Sequence, residues 1–229
     1  MAHLKVVPDR PAKRSTAAQR RREREAEIVG ATRRLFDARG ISDAQIEDIA
    51  GEVGINRAIV YRHFASKDEI FALTLVGYLD ELRDRLASAT ESGGPTERLT
   101  AAVAAFVDYG IAHPAFVDCA GTLMRRSGPE IFDEIGEGTL FRLGRAMTGC
   151  LSLLTAVLAD GTTTGDFDVA DPNLLANTLY ASGLGALQLA RIGILVTESA
   201  PGVPTVASVS AEQVRDYLVT SALAVARAG

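Results

Sequence analysis

The apolar residues of this chain recur in steps of three and four, and that spacing admits little besides helices. Ile28, Ala31, Thr32, Leu35 and Phe36 fall at i, i+3, i+4, i+7 and i+8, one apolar face that ends where Gly40 follows Arg39. The same spacing returns in Ile70, Phe71, Leu73, Leu75, Leu79, Leu82 and Leu86, and stops at Gly93-Gly94-Pro95. Further helical patterns cover about 96–112, 114–126, 129–160, 172–196 and 210–227. Sustained alternation of β-branched residues is lacking and Trp is absent. The expectation is an all-α chain of about nine helices, with the Pro- and Gly-bearing run 198–208 as a mobile loop.

At 229 residues the chain exceeds the usual single-domain mode of roughly 100–150 residues, and its charge divides it. Residues 1–67 hold 14 Lys and Arg against 9 Asp and Glu, while 68–229 hold 10 against 20, within a formal net charge of −5. An acidic protein with a basic head can bind a polyanion if the head alone touches it. The expected organisation is a disordered basic arm over 1–19, with too few apolar side chains to offset the entropy of ordering, then a small head over 20–67 and a larger helical body over 68–229. Cys119 and Cys150 lack a CxxC pattern and His partners, so buried reduced thiols are expected, with no metal and no cofactor. Residues 1–16 contain no apolar run that could act as a signal peptide, and a cytoplasmic location is expected. The apolar stretch 174–196 is interrupted by Asn177, Gln188 and Arg191. A central Arg costs about 2.5–3.5 kcal/mol in a bilayer, so the stretch is read as a buried interface helix and no membrane partner is expected.

Residues 45–64, QIEDIAGEVGINRAIVYRHF, form two short apolar-periodic pieces separated at Val53-Gly54-Ile55. Ile46, Ile49, Ala50 and Val53 line one face of the first piece, and Val60 and Phe64 line the second. Gly54 supplies the left-handed backbone of a tight turn, and Ala50 lets the two helices approach. Asn56 can cap the second helix, and Ser66 the next one. With Val60 and Phe64 inward, Arg57, Ala58, Tyr61 and Arg62 are left to meet DNA, as in a helix-turn-helix. Arg57, in the first turn, can take guanine O6 and N7 with its fork, while Ala58 and Ile59 can touch thymine methyls. Tyr61, His63 and Lys67 have donors suited to phosphate oxygens, and the N-terminus of the helix at Lys67 adds a positive dipole end. Arg20, Arg21, Arg22 and Arg24 just upstream suit phosphates or a minor groove, although Glu23, Glu25 and Glu27 interleave them.

Taken together, Ala31, Leu35-Phe36, Arg39-Gly40, Asp48-Ile49-Ala50, Gly54-Ile55, Val60-Tyr61, Phe64, Ser66-Lys67 and Phe71 resemble the N-terminal signature of the tetracycline-repressor (TetR) family. The resemblance implies a three-helix DNA-binding domain, a linking fourth helix, and a larger helical domain that dimerises and binds a small effector. It places DNA contacts on Asn56, Arg57, Ala58, Tyr61, His63 and Lys67. The chain departs from the family where Ala44-Gln45 stands in place of an opening Thr or Ser, so that capping is expected from Ser42 or Asp43, and where Ile59 replaces a small polar residue.

In the body, small residues crowd 174–196 and 214–226, among them Ala181, Gly185, Ala222 and Ala226. Such faces can pack against symmetry mates, so a homodimer through helices 172–196 and 210–227 is expected. Its two reading helices would lie about 34–36 Å apart on a palindromic operator. Phe106, Tyr109, His113, Phe116, Met124, Phe132, Phe141 and Met147 sit at helical spacing in the middle helices. They serve either as core or as the wall of an apolar effector cavity, for which the candidates are Phe106, Tyr109, His113, Met124, Phe141 and Arg145. The pattern therefore points to a repressor released from operator DNA by a small apolar effector. The rival is a helical effector-binding or adaptor protein without DNA binding. An enzyme is disfavoured: the chain has three His and no GxSxG, HExxH or phosphate-binding glycine loop.

Overall fold

A computed structural model describes residues 12–41, 44–125, 129–131 and 135–228. Among them are nine helices of seven residues or more: α1 (Ala12–Arg39), α2 (Ile46–Val53), α3 (Arg57–His63), α4 (Lys67–Ala89), α5 (Pro95–Ala112), α6 (Pro114–Met124), α7 (Glu137–Thr164), α8 (Pro172–Ile192) and α9 (Ala211–Ala228). The predicted boundaries at Gly40, Gly54, Gly94-Pro95, His113-Pro114 and Asp171-Pro172 fall at helix ends. The residue before a proline avoids the helical region, so His113 breaks the chain and α5 and α6 meet at 100°.

Four expectations change. Residues 12–19, expected in a disordered arm, belong to α1, while 1–11 lie outside the described residues. Pairs one turn apart, Gln19 with Glu23 at 3.0 Å and Arg21 with Glu25 at 2.8 Å, run the helix on from that arm into the expected head. The pattern 129–160 is not one helix: a single helical turn at 129–131 precedes α7, and Phe132 lies outside the described residues. Third, α8 ends at Ile192, where Gly193 takes φ +70°. The run expected as a mobile loop is instead an antiparallel hairpin, β1 (Ile194–Ala200) with β2 (Val203–Ser208), its register pairing Val196 with Val206 and Thr197 with Thr205. β-branched residues in both strands and Pro201-Gly202 between them give the physical reason, and Pro204 is tolerated because a two-stranded sheet has only edges. Last, α2 is not opened from Ser42 or Asp43, which lie outside the described residues. Gln45 is its N-cap, and the Gln45 N–H donates to Asp48 Oδ2 at 3.0 Å.

Head and body share one core. Ile28, Phe36, Ile49, Val60 and Phe64 from the first three helices pack with Ile70, Phe71, Leu79 and Leu82 of α4 and onward to Phe116, Cys150 and Leu187. Phe36 meets Phe71 edge to face at 4.8 Å. A partly buried polar knot ties α1, α4 and α5 together. Arg33 of α1 donates to both carboxylate oxygens of Glu81 on α4, at 2.5 and 2.6 Å, and its guanidinium lies 4.3 Å over the Tyr78 ring. Tyr78 donates to Asp37 at 2.6 Å, and the Tyr109 hydroxyl of α5 lies 2.9 Å from the Tyr78 carbonyl and 3.2 Å from Glu81. The hydrogen bonds from Arg33 hold the Glu81 carboxyl below the usual carboxylate range. The body stacks α7 on α4, and α8 and α9 against α5. Among the described residues, α7 is long and apolar enough by itself to cross a membrane, but Ala146, Cys150, Val157 and Leu158 are buried within the fold.

Candidate nucleic-acid interface and effector cavity

The turn between α2 and α3 forms as its residue types dictate. Gly54 adopts φ +71°, and the Ile55 N–H reaches back to the Ala50 carbonyl at 2.9 Å. Asn56 caps α3 by accepting from the Ile59 N–H at 3.0 Å. Ile46, Ile49, Ala50, Val60 and Phe64 are buried, and the opposite side of α3 presents Arg57, Ala58, Tyr61 and Arg62 to solvent.

Arg57 is aimed across this face. Its Nη1 donates to Glu47 of α2 at 2.7 Å, and its guanidinium sits 5.3 Å from the Tyr61 ring centre. Tyr61 and Glu47 hold the Arg57 proton above its ordinary range, so the fork stays charged. Two other candidates sit less openly. His63 is half-buried, with Nδ1 lacking a hydrogen bond and 3.7 Å from Glu25 of α1. Lys67 is half-buried with Nζ 5.2 Å over the Phe71 ring. The start of α4 is already capped, since Ser66 Oγ accepts from the Glu69 N–H at 3.0 Å and Glu69 Oε2 from the Ala65 N–H at 2.6 Å.

The body contains an apolar cavity of about 60 Å³ among α4, α5, α7, α8 and α9. Leu82 and Leu86 of α4, Phe106 of α5 and Leu154 of α7 form much of its wall. Of the six residues expected there, only Phe106 lines it. Tyr109 is buried elsewhere with its hydroxyl held in the Glu81 knot, and His113 packs on Tyr109 at 4.4 Å. Met124 is 53% exposed and faces an outer groove between α6 and α8. Phe141, 72% exposed, and Arg145 lie on the outer side of α7. Their helical spacing gave the correct period without showing which face turns inward. Tyr180 and Cys150 line the cavity and were not singled out for it. The available signal was a lone phenol in a helix of small residues, one turn before Gly183. Both cysteines are free and buried, as expected, and burial pushes the Cys150 thiol up to about 12.

The model of a family described as bacterial regulatory proteins, tetR family, matches residues 28–73. The HTH-type transcriptional activator FasR of Mycolicibacterium smegmatis is 33% identical over 93 residues, 39% of this chain and 41% of that protein. The alignment therefore spans about two-fifths of that relative. Two solved structures share the whole architecture. A tetR-family regulatory protein from Rhodococcus RHA1 superposes with TM-score 0.63 at 16% identity, covering 90% of this chain and 97% of that one. RolR in complex with resorcinol superposes with TM-score 0.66 at 15% identity, covering 93% and 91%.

Proposed function

Because the chain belongs, through its N-terminal domain, to the tetR family of bacterial regulatory proteins, we propose that it is a dimeric, sequence-specific regulator that represses transcription and leaves its operator when a small apolar effector binds. The observation that carries this is the face of α3, where Arg57, Ala58, Tyr61 and Arg62 stand exposed opposite the buried Val60. Arg57 reads a guanine, Ala58 touches a thymine methyl, and Tyr61, Arg62 and Lys67 hold phosphates. Asn56 positions the first turn of the reading helix. His63 supports α3 against α1 rather than reaching DNA, which fits its place beside Glu25.

The dimer forms through α8, beside which both α7 and α9 keep exposed faces. Ala222 and Ala226 of α9, expected to face a symmetry mate, are buried inside the subunit, while Tyr217, Ala224 and Val225 of the same helix are exposed. Leu174, Thr178, Ala181, Gly185 and Ile192 make an exposed stripe along α8, next to the exposed Phe141, Thr148 and Ser152 of α7. Small residues there let two helix pairs close into a four-helix bundle about a two-fold axis.

The effector acts through α4. This helix begins at Lys67, directly after the reading helix, and carries Leu82 and Leu86 in the cavity wall. The Arg33–Glu81 knot makes α1 follow α4, so a ligand that favours one setting of α4 changes the spacing of the two heads. That a protein of the same fold holds resorcinol supports a small ligand here.

Selection of bound fragments from randomised duplex DNA at near-physiological salt tests this function. Enrichment of a palindrome with half-sites about one turn apart supports it. Weak, salt-sensitive binding without enrichment points instead to an adaptor without DNA binding. On the selected site, Lys67→Ala is expected to weaken all sequences alike and to reduce the slope of log affinity against log salt by about one. A reporter placed behind the site reads the sign of regulation, repression being the expected outcome.

A further inference from the structure

We infer that the cavity takes an uncharged, apolar ligand with a single hydrogen-bonding group, which meets the Tyr180 hydroxyl. The inference rests on the effector reading above and specifies the chemistry of the same site. Among the described residues no charged side chain lines the cavity, and only Tyr180 and Cys150 bring polar side-chain atoms to it. The Cys150 thiol is already engaged, its Sγ lying 3.2 Å from the Leu79 carbonyl. Burial holds that thiol, and the Tyr180 phenol, in their protonated, neutral forms. Among the described residues the Tyr180 side chain is half-buried and lines the cavity, and no hydrogen bond holds its hydroxyl. A ligand that gives this hydroxyl a partner gains a hydrogen bond shielded from water by the apolar wall, and is favoured at that point.

The remaining wall decides the body of the ligand. Phe106 packs edge to face on Tyr180 at 6.0 Å. An added Cβ at Gly183 would come 2.6 Å from Phe106, so glycine there is what lets the edge of the ring approach α8 so closely. Leucines from α4, α7 and α8 complete the slot. A carboxylate or ammonium entering it would lose hydration and find no counter-ion.

Calorimetric titration of the full-length protein near pH 7 with 1-decanol, 1-naphthol, decanoate and decylammonium tests the assignment. At least one of the two uncharged probes is expected to bind one per subunit, with both ions at least tenfold weaker. Tyr180→Phe should weaken the bound alcohol about fivefold without changing the melting temperature. Val103→Phe, which fills the cavity, should abolish binding. Decanoate or decylammonium binding as tightly as decanol, neither uncharged probe binding, or Tyr180→Phe leaving affinity unchanged would overturn it. Binding that never releases the selected operator would sink the effector reading and leave the ligand class standing.

Discussion

Replacing Arg57 with alanine is expected to weaken binding to the selected operator by roughly 1–3 kcal/mol and to relax base preference at one position in each half-site, with the dimer intact. The guanidinium is exposed in the first turn of α3 and makes no contact with the core, so its loss leaves the fold alone. In the free protein it is paired with Glu47, an exposed contact of small value that solvent screens. In the proposed complex a guanine edge offers two acceptors to the same fork, and the exchange would be favourable in a groove that the rest of α3 fills. Competition binding with operator variants is the measurement. Equal affinity of wild type and R57A for the best site and for its single-base variants would remove Arg57 from base reading and shift that role to Arg62.

Phe36→Ala is expected to cost about 3–5 kcal/mol, out of a total stability of roughly 5–15 kcal/mol for a typical protein. Phe36 is 1% exposed and its partner Phe71 is 4% exposed, so the lost ring leaves a cavity at the junction of α1 and α4 that neither helix can close. Because head and body share that core, the whole chain should melt in one transition, lower by on the order of 10 °C. Scanning calorimetry at fixed protein concentration reads this, the concentration being fixed because the proposed dimerisation would shift the midpoint. Two resolved transitions, with only the first moved, would show instead that the head melts independently of α4.

The same junction bears on regulation. If head and body were separate units joined by a linker, ligand in the body could not bias the spacing of the heads. The shared core and the Arg33–Glu81–Tyr109 knot make α1, α4 and α5 move together. The charge boundary near residue 67 therefore marks a change in surface chemistry, while the hydrophobic core runs straight through it.

Local chemistry was legible without a structure. Steps of three and four gave the helices, Gly54 the left-handed turn, Asn56 the cap of α3, and the burial of Val60 and Phe64 told which side of α3 is free, because each depends on residues within a turn or two of chain. What failed depended on partners far away in sequence. Phe141 and Phe106 share the same period and residue type, yet one points to solvent and the other into the cavity, since only the packing of α7 on α4 and α8 decides which stripe is inside. Ala181 and Ala222 are both small residues in small-residue helices, and only the docking of α9 on α5 and α8 leaves the first exposed and covers the second. Sequence alone determined the helices, the turn and the exposed face of α3, because hydrogen bonds and caps close over short distances. The tertiary structure alone decided the cavity, its phenol and the exposed stripe, because burial is set by which faces meet.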